Sequence, residues 1–161
     1  MEMPAELSEG FDRLHHEGKA EESSDEGTKA LEKTNRRMEA LNRSWSEIEK
    51  AATSFMDAIK AEIEAGGRPD LNSAVSFFKD QERRFRMDFW PSLQVQKQMQ
   101  RAFFSLPHSV RVRAVASNRK EIATYTRLLE GIRDLRLRLT GLQALAEPSG
   151  DAPAFSDVTS E

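Results

Sequence analysis

The chain of 161 residues contains no cysteine, only three histidines and one tyrosine, and no long apolar run. The absence of cysteine excludes disulfides, thiolate metal sites and a cysteine nucleophile. No stretch approaches the roughly 20 apolar residues that a membrane-spanning helix needs. The first ten residues lack the basic flank and apolar run of a signal peptide. We therefore expect a soluble, cytoplasmic protein without a transmembrane segment.

Catalytic and cofactor motifs are also lacking. His15, His16 and Glu17 are adjacent, but adjacent residues cannot close a tetrahedral metal site without further ligands. His108 has no evident partner that would make it a general base. No serine lies in a Gly-x-Ser-x-Gly motif, and the Gly66-Gly67 pair is too sparse for a phosphate-binding loop. We expect no metal, no cofactor and no enzymatic activity.

The net charge of -3 hides an uneven distribution along the chain. Residues 1–27 hold nine acidic side chains and two basic ones, and residues 147–161 hold four acidic side chains and no basic one. Acidic segments with few apolar residues cannot offset an ordering entropy of roughly 1–2 kcal/mol per residue. We therefore predict two disordered acidic tails, 1–27 and 147–161, around one domain at 28–146, whose net charge is +8.

The strongest pattern in the sequence is a stripe of mostly apolar residues with a seven-residue repeat. Two such series, offset by three residues, predict one long helix over about 28–65 with a coiled-coil seam. The glycines and proline of residues 66–69 end it. The seam consists of Leu31, Met38, Trp45, Ala52 and Ile59, with Thr34, Leu41, Ile48, Phe55 and Glu62.

Two further segments of similar length, about 71–106 and 110–146, also carry apolar residues at helical spacing. Pro91 lies inside the second and removes a backbone hydrogen bond, so we expect that helix to be kinked or broken there. Three long helices joined by short breaks favour an antiparallel up-down-up arrangement. The predicted fold is all-α: an elongated, coiled-coil-like three-helix bundle with disordered acidic tails.

Aromatic side chains are concentrated in the second segment, where two pairs of phenylalanines are consecutive. Both members of a consecutive pair cannot face one narrow seam, so one member points to a wider core, to a partner or to water. Exposed aromatic residues often anchor protein interfaces. We therefore predict partner-binding residues at Phe77, Trp90 and Phe104, with core packing around Pro91 as the alternative.

Basic residues form a row on the third predicted helix, where Arg113, Lys120 and Arg127 are seven residues apart. We assign this row to the predicted partner-binding set. It also forms, with Arg83 and Arg84 of the second segment, a predicted phosphate-binding set. Acidic residues four positions away neutralise part of the second-segment cluster, since Asp80 can pair with Arg84 and Glu82 with Arg86. The alternative is a solvated helix face.

These features favour a non-enzymatic protein-interaction module, a scaffold or adaptor that docks another protein and can also self-associate. The second hypothesis is a nucleic-acid-binding helical subunit that uses the basic faces of helices two and three. A third, more distant one is a bundle that opens to coat a lipid or polymer surface. The sequence does not identify the partner.

Overall fold

The described chain is helical throughout. The computed structural model describes residues 2–19 and 28–147, and these ranges contain four α-helices, one short 3₁₀ turn and no strand. The all-α class is confirmed, but the prediction of three helices is wrong because a fourth helix precedes them. The elements are α1 (Ala5–Gly18), α2 (Thr28–Glu64), α3 (Asn72–Met99), the 3₁₀ turn (Ala102–Ser105) and α4 (His108–Ala146).

Helix α1 lies where the sequence predicted a disordered tail, so that prediction is wrong for residues 5–18. Leu7, Phe11 and Leu14 are completely buried, and their spacing of four and three residues places them on one face of α1. Burial of this apolar face offsets the conformational entropy that the acidic segment loses when it folds. The remaining parts of the two predicted tails, residue 1 and the ranges 20–27 and 148–161, lie outside the described residues.

The seam of α2 is buried inside the chain. Met38, Leu41, Trp45 and Ile48 are at most 1% exposed, because α1 packs along one side of α2 and α4 along the other. The two ends of the seam differ: Thr34 is half-buried and Glu62 is exposed to solvent.

Helix α2 ends in a Schellman motif. Gly66 has a φ angle of +92°, a left-handed conformation that residues with a Cβ rarely adopt. Its N–H donates to the carbonyl of Ile63 at 3.0 Å, and the N–H of Gly67 donates to the carbonyl of Glu62 at 2.8 Å. This pair of hydrogen bonds satisfies carbonyls that the helix end leaves free, and the chain then turns back toward α3.

The three long helices run up, down and up. Lys120 pairs with Glu39 at 3.3 Å and Arg127 with Glu49 at 3.0 Å, so α4 runs parallel to α2. Asn118 instead contacts Gln96, and Arg136 contacts Glu82, so α4 runs antiparallel to α3.

Helix α1 completes the bundle by running antiparallel to α2. Its Arg13 pairs with Glu47 at 2.8 Å and its Glu17 accepts a hydrogen bond from Ser44. Helices α2 and α3 lie diagonally across the bundle: in the described ranges no Cα atom of one lies within 8 Å of a Cα atom of the other, and α1 and α4 each contact both.

Close contact between α2 and α4 depends on a glycine. A methyl group at Gly131 would lie 2.3 Å from Cζ2 of Trp45, well inside the distance at which carbon atoms make favourable contact. The missing side chain lets the indole ring lie against the backbone of α4. Trp45 is therefore held at the centre of the core, 1% exposed.

Helix α3 continues through Pro91 to Met99 without a break. Of the two predicted outcomes at Pro91, the break is wrong and the kink stays a prediction: Pro91 lies on the exposed side of a continuous helix whose other face is held by buried Phe89 and Leu93. The chain leaves the α-helix only at Gln100 and forms the 3₁₀ turn. Leu106 then adopts an extended conformation before Pro107, as expected for a residue that precedes proline.

Candidate functional site

An open groove lies between the first three turns of α4 and the segment that follows α3, which contains the 3₁₀ turn. Its volume is about 710 Å³, within the range of roughly 300–1,000 Å³ that is usual for ligand pockets. We call it the Phe104 groove. Its walls are formed by Gln100, Arg101, Phe103, Phe104, Arg111, Val112, Val115, Ala116, Asn118 and Arg119.

The apolar part of the Phe104 groove includes large side chains exposed to water. Phe104 is 79% exposed and Val112 is 54% exposed, whereas Phe103 is 8% exposed. The two phenylalanines are consecutive, so the short 3₁₀ turn directs one inward and leaves the other outside. An aromatic ring exposed to this degree beside other apolar groups is typical of an interaction site.

The charge at the Phe104 groove has one sign. Arg101, Arg111 and Arg119 line it, and no acidic residue does. Arg111 lies 3.2 Å from Nδ1 of His108, and neither Arg101 nor Arg119 forms an ion pair with any described residue. Below them the Asn118 amide donates to the backbone carbonyl of Gln96 at 2.7 Å, which fixes α4 against α3. The arrangement suits a ligand with an apolar side chain and negative charge.

The predicted aromatic residues do not share one surface. Phe104 lies in the groove, but Phe77 is half-buried and its ring makes edge contacts with Phe11 and Phe78 at centroid distances of 5.6 Å. Phe77 therefore belongs to the edge of the core. Trp90 is 50% exposed on α3 and does not line the groove.

The predicted basic row is only partly free. Arg113 and Lys120 line a second cleft of about 610 Å³ between α2 and α4, together with Ser117. Lys120 and Arg127 pair with acidic residues of α2, whereas Arg113 forms no ion pair in the described chain.

The α3 cations pair differently from the sequence expectation. Arg83, rather than Arg84, pairs with Asp80. Arg84 instead lies 3.4 Å from Asp12 of α1, a helix that the sequence analysis did not predict. The expected pair between Glu82 and Arg86 is confirmed, with 3.3 Å between Oε1 of the carboxylate and Nη2 of the guanidinium.

Arg101, Arg111 and Arg119 were missed as site residues. Arg111, Val115 and Arg119 are spaced four residues apart, so they form one ridge of α4, and this spacing could have identified them. The predicted row follows a different series, the seven-residue one that begins at Arg113. Nothing in the sequence places Arg101 beside that ridge, because their proximity depends on how the 3₁₀ turn returns the chain.

A polar pocket of about 330 Å³ opens to solvent where α1 meets α3, and it is also lined by residues of α2 and α4. The two histidines of the predicted N-terminal tail differ in exposure: His15 is 2% exposed, whereas His16 lies on the surface. Nε2 of His15 lies 2.9 Å from Oε1 of Gln81, and its Nδ1 lies 3.4 Å from Asp88 without a hydrogen bond. Burial lowers the pKa of His15, partly opposed by the bond to Gln81.

The α4 side of the same pocket holds Glu121 and Tyr125, both buried. Burial raises the pKa of Glu121 and of Tyr125, and the nearby Arg37 guanidinium opposes both changes. Arg37 and Glu121 are 4.0 Å apart. This pair joins α2 to α4, whereas His15 joins α1 to α3 through Gln81.

Comparison with known proteins shows no matching family model, no similar curated protein and no similar solved structure. Among the helices at 5–18, 28–64, 72–99 and 108–146, none is long and apolar enough to cross a membrane. The same described residues contain no group of three histidine or acidic side chains placed to hold a metal ion.

Proposed function

We propose that this chain is a non-enzymatic, cytoplasmic adaptor that docks a protein partner in the Phe104 groove. The docked segment is acidic and carries an aromatic or branched aliphatic side chain. The apolar side chain packs against Phe104 and Val112, and the acidic groups lie beside the arginines.

The observation that carries this proposal is the exposed Phe104 ring within a wall of unpaired arginines. An aromatic anchor desolvated by a partner side chain is a common interface hot spot. Arginine forms two parallel hydrogen bonds with a carboxylate, which adds orientation to the charge attraction. A groove of about 710 Å³ accommodates a few side chains, so the docked segment is short and its binding reversible.

The nucleic-acid hypothesis has less support from the same contacts. Four of the five predicted phosphate-binding residues already pair with acidic side chains of this chain: Arg83, Arg84, Lys120 and Arg127. A duplex backbone also offers no apolar group for Phe104. If phosphates were the ligand, the logarithm of the binding constant would fall linearly with the logarithm of the salt concentration, and the slope would reflect the number of phosphate contacts.

Selection from a displayed library of random peptides tests the proposal. We expect the full chain to enrich peptides that combine acidic residues with an aromatic or branched aliphatic residue. Phe104→Asp and Arg119→Glu should each weaken binding of the enriched peptides at least tenfold, equivalent to about 1.4 kcal/mol. Helical content should not change, because both side chains lie on the surface.

Matched controls come from the other end of α4. Leu145→Asp also changes an exposed apolar residue, 70% exposed, and Arg133→Glu reverses an exposed charge without an ion pair in the described chain. Neither should affect peptide binding. The proposal would be overturned if acidic peptides were not enriched, or if the groove variants and the control variants lost peptide affinity equally.

A further inference from the structure

We propose that the segment that docks in the Phe104 groove is residues 148–161 of a second copy of this chain. This inference rests on the proposed function, because it names the partner of the same groove. The acidic ligand is then a segment of the same protein, and the protein self-associates.

The chemistry of residues 148–161 matches the groove. The segment carries three acidic residues, Asp151, Asp157 and Glu161, and no basic residue. Its large apolar residues are Phe155 and Val158, which flank Asp157. An aromatic side chain beside carboxylates is the combination that Phe104 and three unpaired or weakly paired arginines would bind.

Length prevents the segment from reaching the groove of its own chain. Helix α4 ends at Ala146, 34 positions beyond Val112, the groove residue against which the apolar side chain packs. At 1.5 Å per residue this distance is about 51 Å. Phe155 is nine residues beyond Ala146, and nine fully extended residues span at most about 32 Å. Phe155 therefore needs the groove of another molecule.

An antiparallel pair of chains satisfies both grooves at once. The groove lies at the start of α4 and the segment begins at its end, so two chains side by side in opposite directions place each segment near the other's groove. The contact is then made twice around a two-fold axis, which closes the assembly. Two linked contacts also bind more tightly than either alone.

The other acidic segment outside the described residues fits less well. Residues 20–27 hold four acidic side chains but no apolar residue larger than alanine. Such a segment could meet the arginines but would leave Phe104 and Val112 exposed. The apolar groove therefore favours the segment that contains Phe155.

Sedimentation or light scattering on the full chain, across a range of concentrations, tests the inference. We expect the average mass to rise from one chain toward two. Phe155→Ala and Arg119→Glu should each raise the dissociation constant at least tenfold, whereas Ser156→Ala and Arg133→Glu should leave it unchanged. Circular dichroism checks that the helical content is the same in each variant.

Mixing the two defective variants provides a more specific test. Phe155→Ala keeps an intact groove and Arg119→Glu keeps an intact segment, so the mixture should form pairs with one restored contact. A chain that remains monomeric at all concentrations would overturn the inference, as would association that neither variant weakens.

A labelled peptide of residues 147–161 separates this inference from the proposed function. Added to the Phe155→Ala full chain, it should bind saturably, and Phe104→Asp in that background should abolish binding. If this peptide does not bind but selected acidic peptides do, the self-docking inference fails and the proposed function stands. If neither binds, both fail.

Discussion

Replacing Phe11 by alanine tests whether α1 is a full member of the core. Phe11 is completely buried and makes edge contacts with three aromatic rings: Phe77, Phe78 and Trp45, at centroid distances of 5.6, 5.9 and 6.4 Å. These rings belong to α2 and α3, which have no Cα atoms within 8 Å of one another in the described chain. The substitution therefore removes a side chain that joins two helices.

Its expected cost is about 3–5 kcal/mol of unfolding free energy, the usual range for truncating a buried phenylalanine to alanine. The three ring contacts place the expectation in the upper part of that range, because edge-to-face pairs add about 0.5–1.5 kcal/mol each beyond burial. The loss has an upper limit, since it cannot exceed the free energy with which α1 docks on the other helices.

Urea denaturation measures this loss. The experiment is done in a Trp90→Phe background, where Trp45 is the only remaining tryptophan and reports on the ring that Phe11 contacts. Circular dichroism follows total helix in the same samples. Ser8→Ala, at an exposed position of the same helix, is the matched control and should change the unfolding free energy by less than about 0.5 kcal/mol.

Coincident fluorescence and dichroism transitions, both moved to lower urea by Phe11→Ala, would show that α1 unfolds with the bundle. An early fluorescence transition would show that α1 undocks first. A loss of unfolding free energy below about 0.5 kcal/mol, with Trp45 fluorescence unchanged, would contradict the docking of α1, because α1 would then not cover the seam of α2.

Three further predictions concern α4, the α1–α3 junction and the buried carboxylate of α3. Gly131→Ala should lower the unfolding free energy by about 1–3 kcal/mol because the new methyl group meets Trp45. Gly141→Ala, whose methyl group has no atom within 4 Å, should instead raise the unfolding free energy by up to about 1 kcal/mol. Thermal denaturation of the two variants checks this, and equal shifts of their melting temperatures would contradict it. Burial lowers the pKa of His15 from its ordinary 6.5. The unfolded chain therefore binds more protons, and the unfolding free energy of the wild type should fall as the pH drops below about 6.5. Parallel plots of unfolding free energy against pH for the wild type and His15→Gln would disprove this contribution. Glu82→Ala should lower the unfolding free energy, measured by urea titration, by about 1–3 kcal/mol because it leaves half-buried Arg136 without its partner. Asp80→Ala, which breaks an exposed pair with Arg83, should lower it by less than about 1 kcal/mol.

Local patterns in the sequence were enough to predict the helical class and most of the length of the three long helices. The seven-residue repeat of α2 and the Gly66-Gly67 stop are both local properties of the chain, and the predicted end of α2 at residue 65 is one residue from the observed end at Glu64. The second helix was predicted to reach residue 106 and ends at Met99. The division of the consecutive phenylalanines was also predictable, since neighbouring side chains on a helix point in different directions. Phe103 is buried and Phe104 is exposed.

The role of α1 and the composition of the groove depend on contacts between residues that are distant in the sequence. The stability of α1 depends on burying Leu7, Phe11 and Leu14 against helices far away in the sequence, and a composition argument counts its acidic residues without seeing that face. Arg101 and Arg119 are 18 residues apart and line one groove because the 3₁₀ turn reverses the chain. Local spacing predicts the long helices, whereas the helicity of α1 and the pairing of distant faces depend on packing that no local pattern encodes.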